Sequence, residues 1–233
     1  MVRATRCFYK LPYCGSKGLT VKGFLFDLDG TLVDTAIDML RALKLLAQEN
    51  SIEIEPNHAQ YKELITHGSR AIVESIFGKT DQKTFLKLQK RYLEIYQDIL
   101  TQGSCLFDGV EDFIQALDKQ KIPWGIVTNK PHYLAKPLVK SLKPLENCGI
   151  LVGGDSTKFS KPHPQPINTA IQMLKINPKK SWYIGDALSD ITAGNAANMQ
   201  TAVALWGYIG TNDSPEKWQA TKTVQQPLEL FKL

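Results

Sequence analysis

Hydrophobic positions follow two regimes along this chain. Between about residues 35 and 102 they recur at helical spacing. Ile37, Leu40, Leu43 and Leu46 fall at three-residue steps, and Phe85, Leu88, Tyr92, Ile95 and Ile99 keep a three/four rhythm that marks one apolar face. Two shorter helical stretches, around residues 61–65 and 70–77, lie between them, so the spacing predicts a four-helix insertion with a small core of its own. From Leu106 onward the pattern alternates. Helix 110–119 leads to "PWGIVT", helix 132–142 to "GILVGG", helix 165–175 to "SWYIGD" and helix 189–198 to "TAVAL". With the opening run Phe24-Leu25-Phe26 this makes about five short apolar strands, the signature of right-handed βαβ units and a parallel sheet covered on both faces. Asp108-Gly109, Asn177-Pro178 and Gly153-Gly154 mark breaks. The expected fold is α/β: a doubly wound parallel sheet formed by 21–34 and 106–233, with helices 35–105 spliced in after the first strand.

Composition narrows the class. A chain of 233 residues, 43% of them hydrophobic, has ample material for a core domain with a smaller second unit. No apolar stretch approaches the roughly 18 residues of a membrane span, and the start lacks the unbroken apolar segment of a signal peptide. The reading is a cytoplasmic protein with no membrane partner, acting as a monomer or homodimer. The net charge of +5 resides entirely in Arg3, Arg6, Lys10, Lys17 and Lys22, so the body is neutral and lacks the basic stripe of a nucleic-acid binder. Cys7, Cys14, Cys105 and Cys148 show no CxxC spacing and read as free thiols. Residues 1–20 show no periodicity. An acid-free, Arg-containing presequence is one reading, but Pro12 and Gly15 spoil an amphipathic helix. The preferred one is an over-extended start, with Val21 as the natural first position.

Ligands of an open parallel sheet bind beyond the carboxyl ends of its strands, so the residues there carry the chemistry. The first strand ends on Asp27, with Asp29 one residue further; alternate strand positions put two carboxylates on one side, where they repel unless a cation or proton intervenes. The next clear strand ends on Thr128-Asn129-Lys130 and the fourth on Gly185-Asp186, followed by Asp190. Lys161 stands in the loop after the third strand. Several carboxylates, a hydroxyl and a lysine converging on one edge describe a Mg²⁺ site that keeps waters and accepts a substrate phosphate. A calcium loop fits poorly, because Gly30 falls at loop position four and position twelve is Asp38. Asp34 or Thr35 reads as a helix N-cap, and His132 and His163 as structural or exposed.

"DLDGT", "IVTN", "KPHP" and "GDALSD", in this order from about Val21 on, resemble the four signature motifs of the haloacid dehalogenase-like phosphatases. The helical insertion resembles that family's first-position cap, as in its phosphoglycolate phosphatase group. The resemblance implies Asp27 as nucleophile and Asp29 as acid and base, which needs Asp29 partly protonated near neutral pH. It also implies Mg²⁺ on the side chains of Asp27 and Asp186 and the carbonyl of Asp29, with Asp190 a ligand or a support behind it. Thr128, Asn129 and Lys161 would bind the phosphoryl group of a small-molecule phosphate ester. Two other readings stay open: a phosphoglucomutase-type transferase, and a receiver-like domain that accepts phosphate without turnover. Against the receiver stand Asp186 and Asp190 after Lys161, and the helices after strand one.

Substrate choice is expected from the cap. In "THGSRAIVES", His67, Ser69 and Arg70 at a helix start make a candidate anion site, suited to a substrate with a second negative group. Two family substrates fit, 2-phosphoglycolate and N-acetylmuramate 6-phosphate. "LFDG", "WGIVTNKP" and "GYIGTNDSPEKW" resemble the bacterial phosphatases of the second, an activity of peptidoglycan recycling. Tyr208 and Trp218 either line the site or pack against the core.

Overall fold

The computed structural model describes residues 22–56, 64–66 and 68–233, so the expectations for residues 1–21 and for His67 lie outside the described residues. Among the described residues six strands form one parallel sheet in the order β5-β4-β1-β6-β7-β8. These are β1 (Phe24–Phe26), β4 (Trp124–Val127), β5 (Leu151–Val152), β6 (Trp182–Gly185), β7 (Gln200–Ala204) and β8 (Lys222–Val224). Along β1 the side chains alternate between two cores. Phe24 and Phe26 join Phe113, Ile114, Leu134 and Leu138 on one face, while Leu25 joins Ile167, Ile171 and Ala193 on the other. Apolar residues therefore run without interruption through β1 because both of its faces are buried.

The helices of this layer lie close to where periodicity predicts them: α4 (Val110–Lys119), α5 (His132–Ser141), α6 (Gln165–Leu174) and α7 (Leu188–Ala196). The sheet exceeds the expected five strands by β8. In Lys222-Thr223-Val224 only Val224 is buried, as in a short edge strand whose polar side faces water, and such a segment carries no apolar run to read.

After β1 the chain leaves the sheet through β2 (Val33–Asp34) and returns through β3 (Cys105–Leu106), which pair antiparallel. Two-residue strands leave no periodicity, and the sequence gives no sign of this ribbon. Between them lie α1 (Ala36–Glu49), α2 (Gly68–Phe77) and α3 (Gln82–Ile99). Their apolar faces, including Leu40, Leu43, Leu46, Ile72, Tyr92, Ile95 and Ile99, are buried in the same cluster as Phe24 and Phe26, so the helices share one continuous core with the sheet. The expected fourth helix around residues 61–65 falls largely outside the described residues. Among those described, no helix is long and apolar enough to cross a membrane.

Candidate active site

β1 lies between β4 and β6, where the chain order of the sheet reverses, and the residues that follow these three strands meet there. The ladder holds them one step beyond the strands: the Asp27 amide donates to the Ile184 carbonyl at 2.9 Å and the Thr128 amide to Val152 at 2.9 Å. A cavity of about 440 Å³ opens over this edge. Asp27, Asp29, Thr128, Lys161 and Asp186 line its floor, and Met39, Tyr92 and Leu93 of α1 and α3 line the opposite wall.

Lys161 is the centre of the floor, with a side chain only 2% exposed. Its Nζ donates to Asp27 Oδ1 at 2.7 Å and Asp190 Oδ1 at 2.6 Å, and its third proton is shared between the Tyr183 hydroxyl and the Val127 carbonyl, both 3.0 Å away. Burial would lower the pKa of this amine, but Asp190 and Asp27 together raise it, so the ammonium is retained. The Asn129 side chain grips the Lys161 backbone on both sides, donating to its carbonyl at 3.0 Å and accepting from its amide at 2.9 Å. Asn129 thereby positions the lysine. Asp190 does two things: Oδ1 holds Lys161, and Oδ2 accepts from the Ala187 amide at 3.1 Å, closing the first turn of α7.

Asp186 accepts from the Thr31 hydroxyl at 2.8 Å and from the Tyr208 amide at 2.8 Å. Gly30, at φ +87, and Gly207 let the backbone close around it; a β-carbon at either would strike the Asp186 carboxylate. Carboxylate oxygens of Asp27, Asp186 and Asp190 lie within 4.8 Å of one another. These three buried acids face one ammonium, which leaves the charge that one divalent cation would balance. The carboxyl of Asp27 is pushed up to about 6, first by burial and then by Asp190, with Lys161 opposing. Asp186 is raised well above its ordinary range, again first by burial and then by Asp27. An all-oxygen set of closely spaced, buried carboxylates fits Mg²⁺. The proximity of Asp29 contributes least to the shift at Asp27, so burial outweighs the repulsion expected from the sequence.

Asp29 turns to a different partner, one not assigned from sequence. Lys130 Nζ lies 3.0 Å from Asp29 Oδ1 and 3.3 Å from Oδ2, and it donates to the Tyr96 hydroxyl of α3 at 2.7 Å. The signal was present in "VTNKP", but a lysine after the phosphate-binding positions reads as solvated until α3 is seen to cover it. Thr128, also buried, accepts from the Lys130 amide at 3.2 Å.

The cap residues are less concentrated. Ser69 and Arg70 both border the cavity, but Ser69 accepts from Gln89 at 2.9 Å, while the Arg70 guanidinium pairs with Glu74 and lies 4.1 Å from the centre of the Phe85 ring. Tyr208 lines the cavity and is also packed: its hydroxyl donates to Asp34 and accepts from the Thr35 and Ala36 amides at 2.7 and 2.9 Å. The start of α1 is thus capped by Asp34 together with Tyr208, and the Thr35 side chain makes no capping bond. Trp218 packs against Ile191 and Val203. His163 stacks on Phe159, and the backbone amide of His132 is held by Asp155. Cys105 and Cys148 are free thiols.

Residues 24–204 match the haloacid dehalogenase-like hydrolase family, and the chain belongs to it. A phosphoglycolate phosphatase of Xanthomonas campestris pv. campestris is 38% identical over 210 residues, covering 90% of this chain and 95% of the relative. An N-acetylmuramic acid 6-phosphate phosphatase of Pseudomonas putida is 34% identical over 216 residues, covering 92% and 96%. The solved structure of a predicted phosphoglycolate phosphatase from Haemophilus somnus superposes with a TM-score of 0.81 at 23% identity, covering 92% of this chain and 99% of that one. With curated phosphatases matching nearly its whole length, the chain is a phosphatase of this family.

Proposed function

We propose that the protein hydrolyses a small phosphomonoester through a phosphoaspartate on Asp27. The observation that carries this reading is the environment of Asp27: it follows a central strand, one of its oxygens is held by Lys161, and the Asp186 and Asp190 carboxylates lie close by. Asp27 attacks phosphorus, and the bond from phosphorus to the ester oxygen breaks as Asp29 gives that oxygen a proton. Water then attacks the same phosphorus, giving its proton to Asp29, and the phosphorus bond to Asp27 breaks to release phosphate. Lys161 and Thr128 bind phosphoryl oxygens throughout. Mg²⁺ would be held by the side chains of Asp27 and Asp186 and the carbonyl of Asp29, and would supply positive charge against those oxygens. Asp190 keeps Lys161 in place.

Relatives named for 2-phosphoglycolate and for N-acetylmuramic acid 6-phosphate support either compound as substrate. The cavity supports the larger one, since its volume of about 440 Å³ falls within the range that encloses whole sugar-sized ligands. Phosphate release from a panel of both compounds and several hexose phosphates, with Mg²⁺ or with chelator, tests the reading. Release that requires Mg²⁺ and is lost in Asp27→Asn is expected. If wild type is as inert as a folded Asp27→Asn variant toward the whole panel, the reading fails.

A further inference from the structure

Lys130 is 8% exposed, belongs to the segment leaving β4 and reaches in two directions. Toward the floor it contacts both carboxylate oxygens of Asp29; toward the helices it meets the Tyr96 hydroxyl and lies 4.6 Å from the centre of that ring. Tyr96 is itself fixed. It is 1% exposed, it stacks on Tyr92 with ring centres 6.3 Å apart, and the Tyr92 hydroxyl donates to the Met39 carbonyl of α1 at 3.2 Å. A continuous chain of contacts therefore runs from α1 through Tyr92, Tyr96 and Lys130 to the carboxyl of Asp29.

We infer that Lys130 and Tyr96 are positioning residues for the acid–base group: α3 sets the orientation of the Asp29 carboxyl through Lys130, so proton transfer to the leaving oxygen is efficient only while the helices cover the sheet edge. This inference rests on the phosphatase reading above. Two features favour positioning over simple packing. Lys130 lies near both Asp29 oxygens, which restrains rotation of the carboxyl about its last bond. Among the described residues, the other cations bordering the cavity are engaged elsewhere, Lys161 with Asp27 and Asp190 and Arg70 with Glu74. A group that transfers a proton must lie within hydrogen-bond reach of the ester oxygen, and a displaced carboxyl loses that reach without affecting attack by Asp27.

The test separates esters by leaving group. p-Nitrophenyl phosphate departs as a stabilised phenolate that needs little protonation, whereas 2-phosphoglycolate and N-acetylmuramate 6-phosphate depart as alkoxides that need it. Values of kcat/KM report only the steps up to release of the alcohol, so they isolate this proton transfer. For the alkyl ester that wild type hydrolyses faster, Lys130→Met is expected to lower kcat/KM roughly tenfold to a hundredfold. Tyr96→Phe, which keeps the stacked ring and removes one hydroxyl, is expected to lower it several-fold. Both variants should leave kcat/KM for p-nitrophenyl phosphate within about twofold of wild type. Equal losses on the two kinds of ester, or no loss on either, overturn the positioning role while the phosphatase reading stands. If Lys130→Met does not fold, Tyr96→Phe alone decides by the same criterion. A wild type that hydrolyses none of the three esters defeats the phosphatase reading, and this inference with it.

Discussion

The sheet edge and the helices facing it treat charge in opposite ways. At the edge, Lys161 and Asp190 have side chains only 2% and 1% exposed, and each has several partners. On the helices, Arg70 pairs with Glu74 while its side chain is 63% exposed, and Arg91, 46% exposed, bridges Glu49 and Glu94. A buried ion pair is costly to assemble and costlier to break, so it persists only where geometry is tightly determined. An exposed pair contributes little and can exchange partners with water or substrate. The edge is thus constructed to hold one arrangement, which phosphoryl chemistry requires, while the helix surface can vary with little effect on the fold. Lys130 stands between the two regimes, buried like the edge but reaching a helix.

The most direct way to break the comparison is at Asp27. Asp27→Asn should abolish turnover by about four orders of magnitude or more while the protein stays folded, measured as steady-state phosphate release alongside circular dichroism. Next in size is Asp190→Ala, which leaves Lys161 buried with one acid fewer. It should destabilise the fold by about 3–5 kcal/mol in urea titrations. A destabilisation below about 1 kcal/mol would show that the edge is no more committed than an exposed pair.

Acidity offers a third, smaller handle. Asp27 ionises at about 6 in the folded protein without metal, against an ordinary value of 3.8. Between those values the folded state keeps a proton that the unfolded chain has released, so the contribution of Asp27 to stability falls as pH rises. The raised carboxyl of Asp186 contributes with the same sign. Thermal melts in chelator should therefore show Tm dropping as pH is raised from about 4 to 6, with the slope reduced in Asp27→Asn and reversed by saturating Mg²⁺. A slope in chelator that Asp27→Asn leaves unchanged contradicts the assignment. The smallest effect belongs to the helices: Arg70→Ala should change stability by no more than about 0.5 kcal/mol, because an exposed i,i+4 pair contributes little.

Much of this arrangement is legible from the chain. The apolar runs of β1, β4 and β6 announce strands buried on both faces, and the polar residues that end them, Asp27, Thr128 and Asp186, fall where such a sheet binds ligands. The helical stretches α4 to α6 follow from periodicity because each has one apolar stripe facing the sheet, whereas α7 buries Asp190, Ile191, Ala193 and Gly194 and carries no such stripe. Short elements outside the strand–helix alternation were not legible. β2, β3 and β8 are no shorter than β5 and β1, which were read, but they mix apolar with polar or exposed residues and exist because neighbouring backbone is already in place to pair with them.

At the site, sequence determined which groups are available, because strand ends and loop positions are local properties of the chain. Tertiary structure decided how those groups are shared. Nothing local couples Asn129 to the Lys161 backbone, Tyr208 to Asp186 and the start of α1, or Lys130 to Tyr96, since each contact joins segments more than 20 residues apart. Nor could spacing alone show that burial, rather than the closeness of Asp27 and Asp29, dominates the acidity at this edge. The two acids are neighbours in the chain but answer to different lysines, and the partner of each is chosen by which helices and loops close over the end of β1.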